Sequence, residues 1–270
     1  MKNFNKIWIS GLMIIGFVIP CYAEKIVIEG STTVLPIAQK AAEVFMNNNA
    51  DADISVRGGG SGVGIASLID GTCDIADASR AIKESELDKA VTNGRNPKAN
   101  VIAMDGICVI VNSSNSISAL TKKQIKDVYT GKISNWSQLG GPNEKIVVVS
   151  RDSSSGTFEA FGELVLSGDK VRPDALLQAS NQAVTSVVSK TPGGIGYVGL
   201  GYLSGGVKAL DVDNVKASKE TVLTGKYSIG RPLFMYTNGT PKGLTKDFID
   251  FILSKDGQKL VEEEGFVGLK

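Results

Sequence analysis

Histidine is absent from all 270 residues of the chain. Its absence excludes Ser-His-Asp and Cys-His catalysis and nearly every common zinc site, because each of these needs an imidazole. Phosphate-binding loops of the G-x-x-x-x-G-K-[ST] type are also missing, and the glycines at 58–60 lack the G-x-G-x-x-G spacing. No candidate nucleophile has an evident base beside it. The sequence therefore predicts a protein that is not an enzyme.

An excess of charge of one sign is absent too. The chain carries 29 Lys and Arg against 28 Asp and Glu, and without residues 1–23, which hold two lysines and no acids, the balance is 27 against 28. Nucleic-acid binders normally show a basic excess or stripe, and aromatic residues make up only 6% of this chain. The composition therefore predicts no nucleic-acid partner.

Long apolar runs are confined to the first residues. An almost uncharged stretch over 7–19 follows Lys2 and Lys6 and leads to Ala23, which is the layout of a secretory signal peptide. The stretch is shorter than the roughly 20 residues that cross a bilayer. We expect cleavage after Ala23 and a soluble protein in the periplasm. The alternative is lipidation of Cys21, which Pro20 directly before it disfavours.

Cysteine is scarce, and only Cys73 and Cys108 remain after that cleavage. An even number of cysteines in an oxidising compartment permits a disulfide. Two buried free thiols are an equally good interpretation of the same pair. The sequence leaves both alternatives open.

Apolar β-branched runs alternate with loops of Gly, Ser and Thr and with helical patterns, which predicts α/β lobes with mostly parallel sheets. Residues 24–270 exceed one typical domain, which favours two lobes. One helix is predicted over 36–47, where Pro36 suits the first turn, one after Thr157, and two short ones over 244–264 with a break near Asp256-Gly257. Strands are predicted at 25–28, 53–56, 73–76, 107–111 and 145–149.

Three strand-to-helix junctions, at 30–33, 58–62 and 151–157, are rich in small hydrogen-bond donors. The first turn of a helix has backbone N–H groups without partners and the positive end of the helix dipole, which favour an anion. One such junction is ordinary helix capping, but three at the carboxyl ends of strands predict a shared ligand site. Arg151 stands beside the densest loop, where its guanidinium can bind an oxyanion with two hydrogen bonds. Arg80 is a second candidate.

Six motifs along the chain resemble, in order, those of the periplasmic phosphate-binding proteins that serve ABC importers. The resemblance covers essentially the whole chain after residue 23. It implies the two-lobed, type II solute-binding fold, in which each lobe is a mixed, mostly parallel sheet flanked by helices and the ligand lies in the cleft between the lobes. The motifs are Gly30-Ser31-Thr32-Thr33-Val34, Gly58-Gly59-Gly60-Ser61-Gly62, Asp77-Ala78-Ser79-Arg80, Gly131-Lys132-Ile133-Ser134-Asn135-Trp136, Ser150-Arg151-Asp152-Ser153-Ser154-Ser155-Gly156-Thr157 and Gly194-Ile195-Gly196-Tyr197.

The resemblance also implies boundaries and a function. Residues 24–111 and 235–270 are expected to form the first lobe and residues 112–234 the second, with chain crossings near 111–113 and 231–236. The Trp136 segment is then second-lobe structure. The expected function is capture of inorganic phosphate by hinge closure and its delivery to the permease subunits of an ABC importer. The resemblance implies a monomer without cofactor or metal.

Both lobes are expected to contribute contacts to the anion. Arg151 gives the main charge contact and closes from the second lobe. The full set of expected contacts is Ser31, Thr32, Thr33, Ser61, Ser79, Arg80, Arg151, Ser155, Gly156 and Thr157.

One position departs from the family pattern. Well-known members place an aspartate where this chain has Ser79, and that aspartate accepts the proton of hydrogen phosphate. The acceptor here is expected to be the Ser79 oxygen, or Asp77 or Asp152 turned inward. A site made only of donors suits fully deprotonated sulfate, molybdate or tungstate, so these anions are the first alternative to phosphate. A phosphate-ester hydrolase, against which the lack of histidine argues, and a sensor or adhesin that reuses the scaffold are the others.

Overall fold

The computed structural model describes residues 24–269. The expected signal segment, with its alternatives at Ala23 and Cys21, lies outside the described residues. Within residues 24–269, no helix combines the length and the apolar character needed to span a membrane.

Strands and helices alternate through most of the described chain. The strands are β1 (Glu24–Gly30), β2 (Ala52–Gly58), β3 (Ile75–Ala78), β4 (Pro97–Asn112), β5 (Ala119–Leu120), β6 (Val147–Arg151), β7 (Leu176–Gln178), β8 (Gly194–Gly199), β9 (Val207–Ala209), β10 (Asp211–Val212) and β11 (Gly230–Asn238). The helices are α1 (Leu35–Asn48), α2 (Ser61–Asp70), α3 (Glu84–Thr92), α4 (Lys122–Tyr129), α5 (Gly156–Leu164), α6 (Asn181–Ser189), α7 (Lys219–Leu223), α8 (Gly243–Leu253) and α9 (Lys255–Glu263).

One curled sheet runs through the described chain in the order β2-β1-β3-β11-β4-β8-β6-β7, with β9 also paired to β4. β1 pairs in parallel with β2 and β3, and β6 pairs in parallel with β7 and β8. The antiparallel pairs of this sheet involve β4 or β11. A parallel set of strands therefore lies on each side of the β4–β11 pair. This is the expected two-lobed α/β fold.

The long strand β4 belongs to both lobes. It pairs with β11 as far as Gly106 and with β8 from Ile107 to Val111. Between Gly106 and Ile107, β4 therefore passes from its first-lobe partner β11 to its second-lobe partner β8. The expected lobe boundaries at 111/112 and 234/235 stay a prediction. The sequence predicts only the second part of β4, because exposed side chains such as Lys98 interrupt the apolar run in the first part.

Each lobe has its own core. In the second lobe the rings of Phe161 and Tyr197 are stacked, with their centroids 4.0 Å apart. Trp136 is fully buried in the same core and donates from Nε1 to the Gly193 carbonyl, as expected for second-lobe structure. The first lobe has one apolar cluster on each face of its sheet, and these include Ile26, Ile37 and Phe45 on the α1 face and Ile65, Leu68 and Ile69 on the α2 face.

The predicted helices form, with one shift. Pro36 lies in the first turn of α1, whose buried residues include Ile37 and Phe45. The break between α8 and α9 falls at Ser254 rather than at Asp256-Gly257. Ser254 Oγ accepts a hydrogen bond from Gly257 N at 3.2 Å, so this serine caps α9 and Gly257 lies inside its first turn.

The two cysteines are free thiols in different parts of the molecule. Cys73 belongs to the α2-side cluster of the first lobe and Cys108 to the core of the second lobe. Burial raises the pKa of Cys73 to about 12, and burial also raises the pKa of Cys108. Of the two alternatives that the sequence left open, the structure selects the buried thiols.

Asp77 is a carboxyl group buried in β3. It is 1% exposed, and neither of its carboxyl oxygens has a hydrogen-bond partner in the described chain. Burial raises the pKa of Asp77 well above its usual range, so the folded chain keeps a proton that the unfolded chain releases above about pH 4. The stability that the protonated Asp77 carboxyl gives, relative to the ionised one, is fully present below the unfolded-state pKa. It is lost as the pH rises through the folded-state pKa.

We expect Asp77→Asn to gain stability relative to the parent chain as the pH rises. Between the two pKa values, the difference in the free energy of unfolding should grow by about 1.4 kcal/mol per pH unit. Urea unfolding from about pH 5 to about pH 8 in phosphate-free buffer measures this difference. Asp70→Asn, at the exposed end of α2, is the control. Parallel curves for Asp77→Asn and the parent would contradict the prediction.

Candidate anion-binding site

The three predicted donor-rich junctions lie at the carboxyl ends of strands and lead into helices. They connect β1 to α1, β2 to α2 and β6 to α5. Ser61 and Gly156 are the first residues of α2 and α5. The nine expected contact residues that have side chains are all at most 9% exposed. The junctions therefore meet in the interior of the molecule, as the hypothesis of a shared site requires.

In the first lobe, five hydroxyl groups lie at these strand ends, those of Ser31, Thr32, Thr33, Ser61 and Ser79. Ser31 Oγ accepts from Thr33 N at 3.1 Å and thereby shapes the turn before α1. Ser61 Oγ accepts from Ser79 N at 3.0 Å, and the two serine oxygens are 3.3 Å apart. The junctions after β1, β2 and β3 are neighbours because these strands are adjacent in the sheet.

In the second lobe, the start of α5 faces these hydroxyls. Ser155 caps the helix, since its Oγ accepts from Phe158 N at 3.2 Å. Thr157 Oγ1 lies 2.9 Å from Thr33 Oγ1 of the first lobe. A Cβ atom on Gly156 would come within 2.3 Å of Ser61 Oγ and 2.8 Å of Ser79 Oγ. Expected contacts from the two lobes therefore lie directly against each other.

A direct backbone hydrogen bond also joins the two lobes beside this point. Gly62 N donates to the Ser154 carbonyl at 2.9 Å, and Ser154 Oγ lies 3.0 Å from the Gly59 carbonyl oxygen. A Cβ on Gly60, which has a φ of 103°, would lie 2.5 Å from Ser154 Oγ. A glycine is required there because the two backbones approach so closely. The structure is a closed arrangement of the lobes.

Arg151 is a buried cation without a carboxylate partner among residues 24–269. It is 1% exposed, its Nε donates to the Gln178 carbonyl at 3.0 Å, and its Nη2 donates to the Ala179 carbonyl at 2.9 Å. Its Nη1 is buried and has no hydrogen-bond partner in the described chain. Burial, with a contribution from the positive charge of Arg231, lowers the pKa of Arg151. An anion beside Nη1 would supply the missing charge and acceptor.

The guanidinium of Arg80 contacts two carboxylates, those of Glu86 and Glu159. Its Nη1 and Nη2 donate to the two oxygens of Glu86 at 2.8 and 2.7 Å. Its Nε lies 2.6 Å from Glu159 Oε2, but the angle makes this a close charge pair rather than a hydrogen bond. Although burial opposes the charge, the hydrogen bonds to Glu86 and the charge of Glu159 raise the pKa of Arg80. These partners give Arg80 a structural role in place of the expected anion contact.

Two buried residues that the sequence analysis did not assign to the site organise its hydroxyls. Asn181, at the start of α6, donates from Nδ2 to Thr32 Oγ1 at 3.1 Å and to Thr33 Oγ1 at 3.0 Å. Arg231, in β11, donates from Nη2 to Thr157 Oγ1 at 3.0 Å and to Thr33 Oγ1 at 3.4 Å. Asn181 follows the short, exposed strand β7, whose three residues give a weak strand pattern. The sequence marks Arg231 only as part of an expected chain crossing.

These two residues determine what the threonine hydroxyls can do. The Asn181 amide nitrogen and the Arg231 guanidinium can only donate, so they occupy oxygen lone pairs of Thr32, Thr33 and Thr157. One hydroxyl proton can join Thr33 to Thr157, and the others remain available to an acceptor. The cluster is therefore arranged to donate hydrogen bonds to a guest.

Of the three expected proton acceptors, only Ser79 lies where the two lobes face each other beside Gly156. Asp152 Oδ1 accepts from Ser154 N at 2.9 Å and from Ser154 Oγ at 2.6 Å, which holds it in its own loop. Asp77 lies two residues before Ser79, inside β3. Ser79 Oγ lies beside Ser61 and Gly156. The position of Ser79 favours it as the acceptor.

Comparisons with known proteins identify the family of this chain. A PBP superfamily domain matches residues 20–256. The phosphate-binding protein PstS of Bacillus subtilis is 36% identical over 245 residues, which cover 89% of this chain and 79% of that protein. The chain belongs to the PstS-like members of the PBP superfamily. The PstS of Borreliella burgdorferi is also 36% identical, over 92% of this PstS-like chain and 91% of that protein.

A solved structure shows that the fold of this chain is the one found in the same family. A substrate-binding protein from Clostridium perfringens, whose crystal structure contains bound phosphate, is 37% identical to this PstS-like chain. It superposes with a TM-score of 0.85 and covers 92% of this chain and 100% of that chain. The two-lobed type II fold expected from the motifs is thereby confirmed.

We expect Gly156→Ala to hinder closure of this PstS-like protein. The new methyl group would displace Ser61 and Ser79, and overpacking of this kind typically costs about 1 to 3 kcal/mol, which corresponds to a loss of about fivefold to 150-fold in phosphate affinity. Calorimetric titration measures the affinity, and small-angle X-ray scattering measures the closure. Gly162→Ala on the same helix is the control, since a Cβ there meets no atom within 4 Å. Equal affinities for the two variants would refute the prediction.

Proposed function

We propose that this chain is an extracytoplasmic binding protein that captures inorganic phosphate between its lobes and delivers it to the permease of an ABC importer. The proposal assigns it a binding role as a monomer, without catalysis, cofactor or metal. The names of its relatives, which are phosphate-binding proteins, support phosphate as the ligand. It also places the protein in the periplasm, where such a carrier meets its ligand before import.

The unpaired guanidinium of Arg151 is the observation that carries this proposal. A charge buried in a protein interior is costly unless it is paired. Arg231, the neighbouring buried cation, has Asp105 as its partner at 2.9 Å, whereas in the part of the chain that the structure describes Arg151 is held only by main-chain carbonyls. A bound anion is the partner that Arg151 lacks.

The surrounding hydroxyl and backbone groups fit a small tetrahedral oxyanion. Thr32 and one of the pair Thr33 and Thr157 have a hydroxyl proton to offer, and the first turn of α5 adds N–H groups at the positive end of a helix dipole. These donors come from separate segments, so an anion that contacts all of them stabilises the closed state. The ligand shifts the equilibrium toward closure because it binds the closed form more tightly than the open form.

Ser79 supports phosphate over sulfate within this set of donors. Hydrogen phosphate has a proton that needs an acceptor, whereas sulfate has none. Within the described residues no main-chain donor is bound to Ser79 Oγ, while Ser61 Oγ already accepts from Ser79 N. We therefore assign the phosphate proton to Ser79 Oγ, in place of the aspartate found in other members of the family.

Removal of the Arg151 guanidinium should strongly weaken phosphate binding. Arg151→Ala deletes one member of a desolvated charge pair, which typically costs about 2 to 5 kcal/mol, so the dissociation constant should rise at least about tenfold. Isothermal titration with phosphate, sulfate and molybdate measures the constants and establishes the preferred anion. Arg95→Ala, at the end of the first lobe away from the cleft, is the control. An unchanged constant for Arg151→Ala would remove this residue from the site, and stronger binding of sulfate than of phosphate would replace the proposed ligand.

Loss of the Ser79 hydroxyl should change selectivity as well as affinity. Ser79→Ala removes the acceptor for the phosphate proton, so it should weaken phosphate binding by about twofold to tenfold, the usual range for one neutral hydrogen bond, and sulfate binding less. Thr32→Val removes a donor and should weaken both anions alike. Competition titrations at two pH values compare the ratios. If Ser79→Ala weakened both anions equally, Ser79 would not be the acceptor.

A further inference from the structure

Four charged side chains form a bridge between the lobes outside the hydroxyl cluster. Arg80, Lys83 and Glu86 belong to the first lobe, and Glu159 belongs to α5 of the second lobe. Glu159 Oε2 lies 2.6 Å from Arg80 Nε and 2.9 Å from Lys83 Nζ. One carboxylate oxygen of the second lobe thus contacts two cations of the first.

The first-lobe side of this bridge is ordered by contacts within its own lobe. Glu86 accepts from both terminal nitrogens of Arg80 and from Lys83 N at 2.8 Å. Despite its burial, the hydrogen bonds from Arg80 and from the Lys83 amide lower the pKa of Glu86, which keeps its carboxylate charged. Arg80 is therefore held in place by Glu86, a partner that does not depend on closure.

Closure changes the charge balance of this group. Arg80, Lys83 and Glu86 together carry one formal positive charge in excess, and Glu159 neutralises it when the lobes meet. The side chains of Arg80 and Glu159 are only 8% and 18% exposed, so water screens this pair weakly. The attraction therefore acts mainly in the closed state, where the two lobes are in contact.

Helix α5 connects this pair to the proposed anion site. Glu159 lies three residues after Gly156, so the two residues share one face of the helix. Gly156 packs against Ser61 and Ser79, and Glu159 contacts the first lobe one turn further along. Any opening that withdraws Gly156 from the first lobe must also separate Glu159 from Arg80 and Lys83.

We infer that Glu159 is a positioning residue that keeps the closed lobes together through Arg80 and Lys83, and that it thereby sets the rate at which the bound anion is released. This inference rests on the proposed function, because release is defined for the phosphate of that site. Glu159 does not contact the anion. Its effect falls on the dissociation step, since the ion pair forms only after the lobes have approached.

The test compares Glu159→Gln with the parent chain in stopped-flow measurements of phosphate binding and release. A dye pair attached at Lys89→Cys and Ser137→Cys, two exposed positions on different lobes, reports closure. We expect release to be about tenfold faster in Glu159→Gln and association to change by less than about twofold. Added salt should speed release from the parent chain and have little effect on release from the variant.

Glu163→Gln is the matched control. It removes the same charge from an exposed position one turn further along α5, and it should release phosphate at the parent rate. Lys83→Gln removes the half-exposed partner and should accelerate release in the same direction but by less. It also serves as the second variant if Glu159→Gln folds poorly.

The outcomes separate this inference from the proposed function. Parent-like release from Glu159→Gln, or an equal effect of Glu163→Gln, would overturn the role of Glu159 while phosphate binding stands. If the parent chain does not bind phosphate at all, the proposed function fails. The dye pair then still tests the contact in the anion-free chain, where Glu159→Gln should lower the closed fraction and abolish its salt dependence. An unchanged closed fraction would overturn the inference in that case too.

Discussion

The buried ion pair of Arg231 and Asp105 is the interaction on which the rest of the cleft depends. Arg231 is 5% exposed and Asp105 is fully buried, and the guanidinium reaches Asp105 Oδ2 through Nε and Nη2. The same group donates to the Ser79 carbonyl and to the hydroxyls of Thr33 and Thr157. One side chain thus connects β11 to β4, to the end of β3, and to both halves of the threonine pair. Because a buried charge must keep its partners, β11, β4 and the end of β3 are fixed relative to one another, and the contact with Thr157 is made in the closed arrangement of the lobes.

The second cation of the interior shows how the chain selects an anion without excess positive charge. Arg231 is neutralised by Asp105, whereas the partners of Arg151 among residues 24–269 are carbonyl oxygens. The attraction therefore comes from one uncompensated guanidinium and from oriented dipoles in a buried site, where each is stronger than in water. This explains how a chain with nearly equal numbers of acidic and basic residues has a site suited to an anion.

The sequence predicted those parts of the site whose residues are neighbours along the chain. The junctions at 30–33, 58–62 and 151–157 could be found because glycine and hydroxyl residues between an apolar strand and a helix have a specific use in capping and anion binding. Asn181 could not be assigned in this way, since its contacts with Thr32 and Thr33 span nearly 150 positions. Arg80 is a candidate by its place in the motif Asp77-Ala78-Ser79-Arg80, and the sequence gives no sign of its contacts with Glu86 and Glu159. Side-chain partners that are distant along the chain are the information that a single sequence does not contain.

The path of β4 and β11 has a consequence for how the protein assembles. Nearly all of the second-lobe core comes from one uninterrupted stretch between Ile107 and Ile229, whereas the α1-side core of the first lobe needs Leu233, Phe248 and Val261 from near the end of the chain. During synthesis or export, the second lobe can therefore form its core before the C-terminal helices that complete the first lobe have emerged. Because contacts between distant segments form slowly, completion of the first lobe is the step at which an emerging chain exposes apolar surface longest.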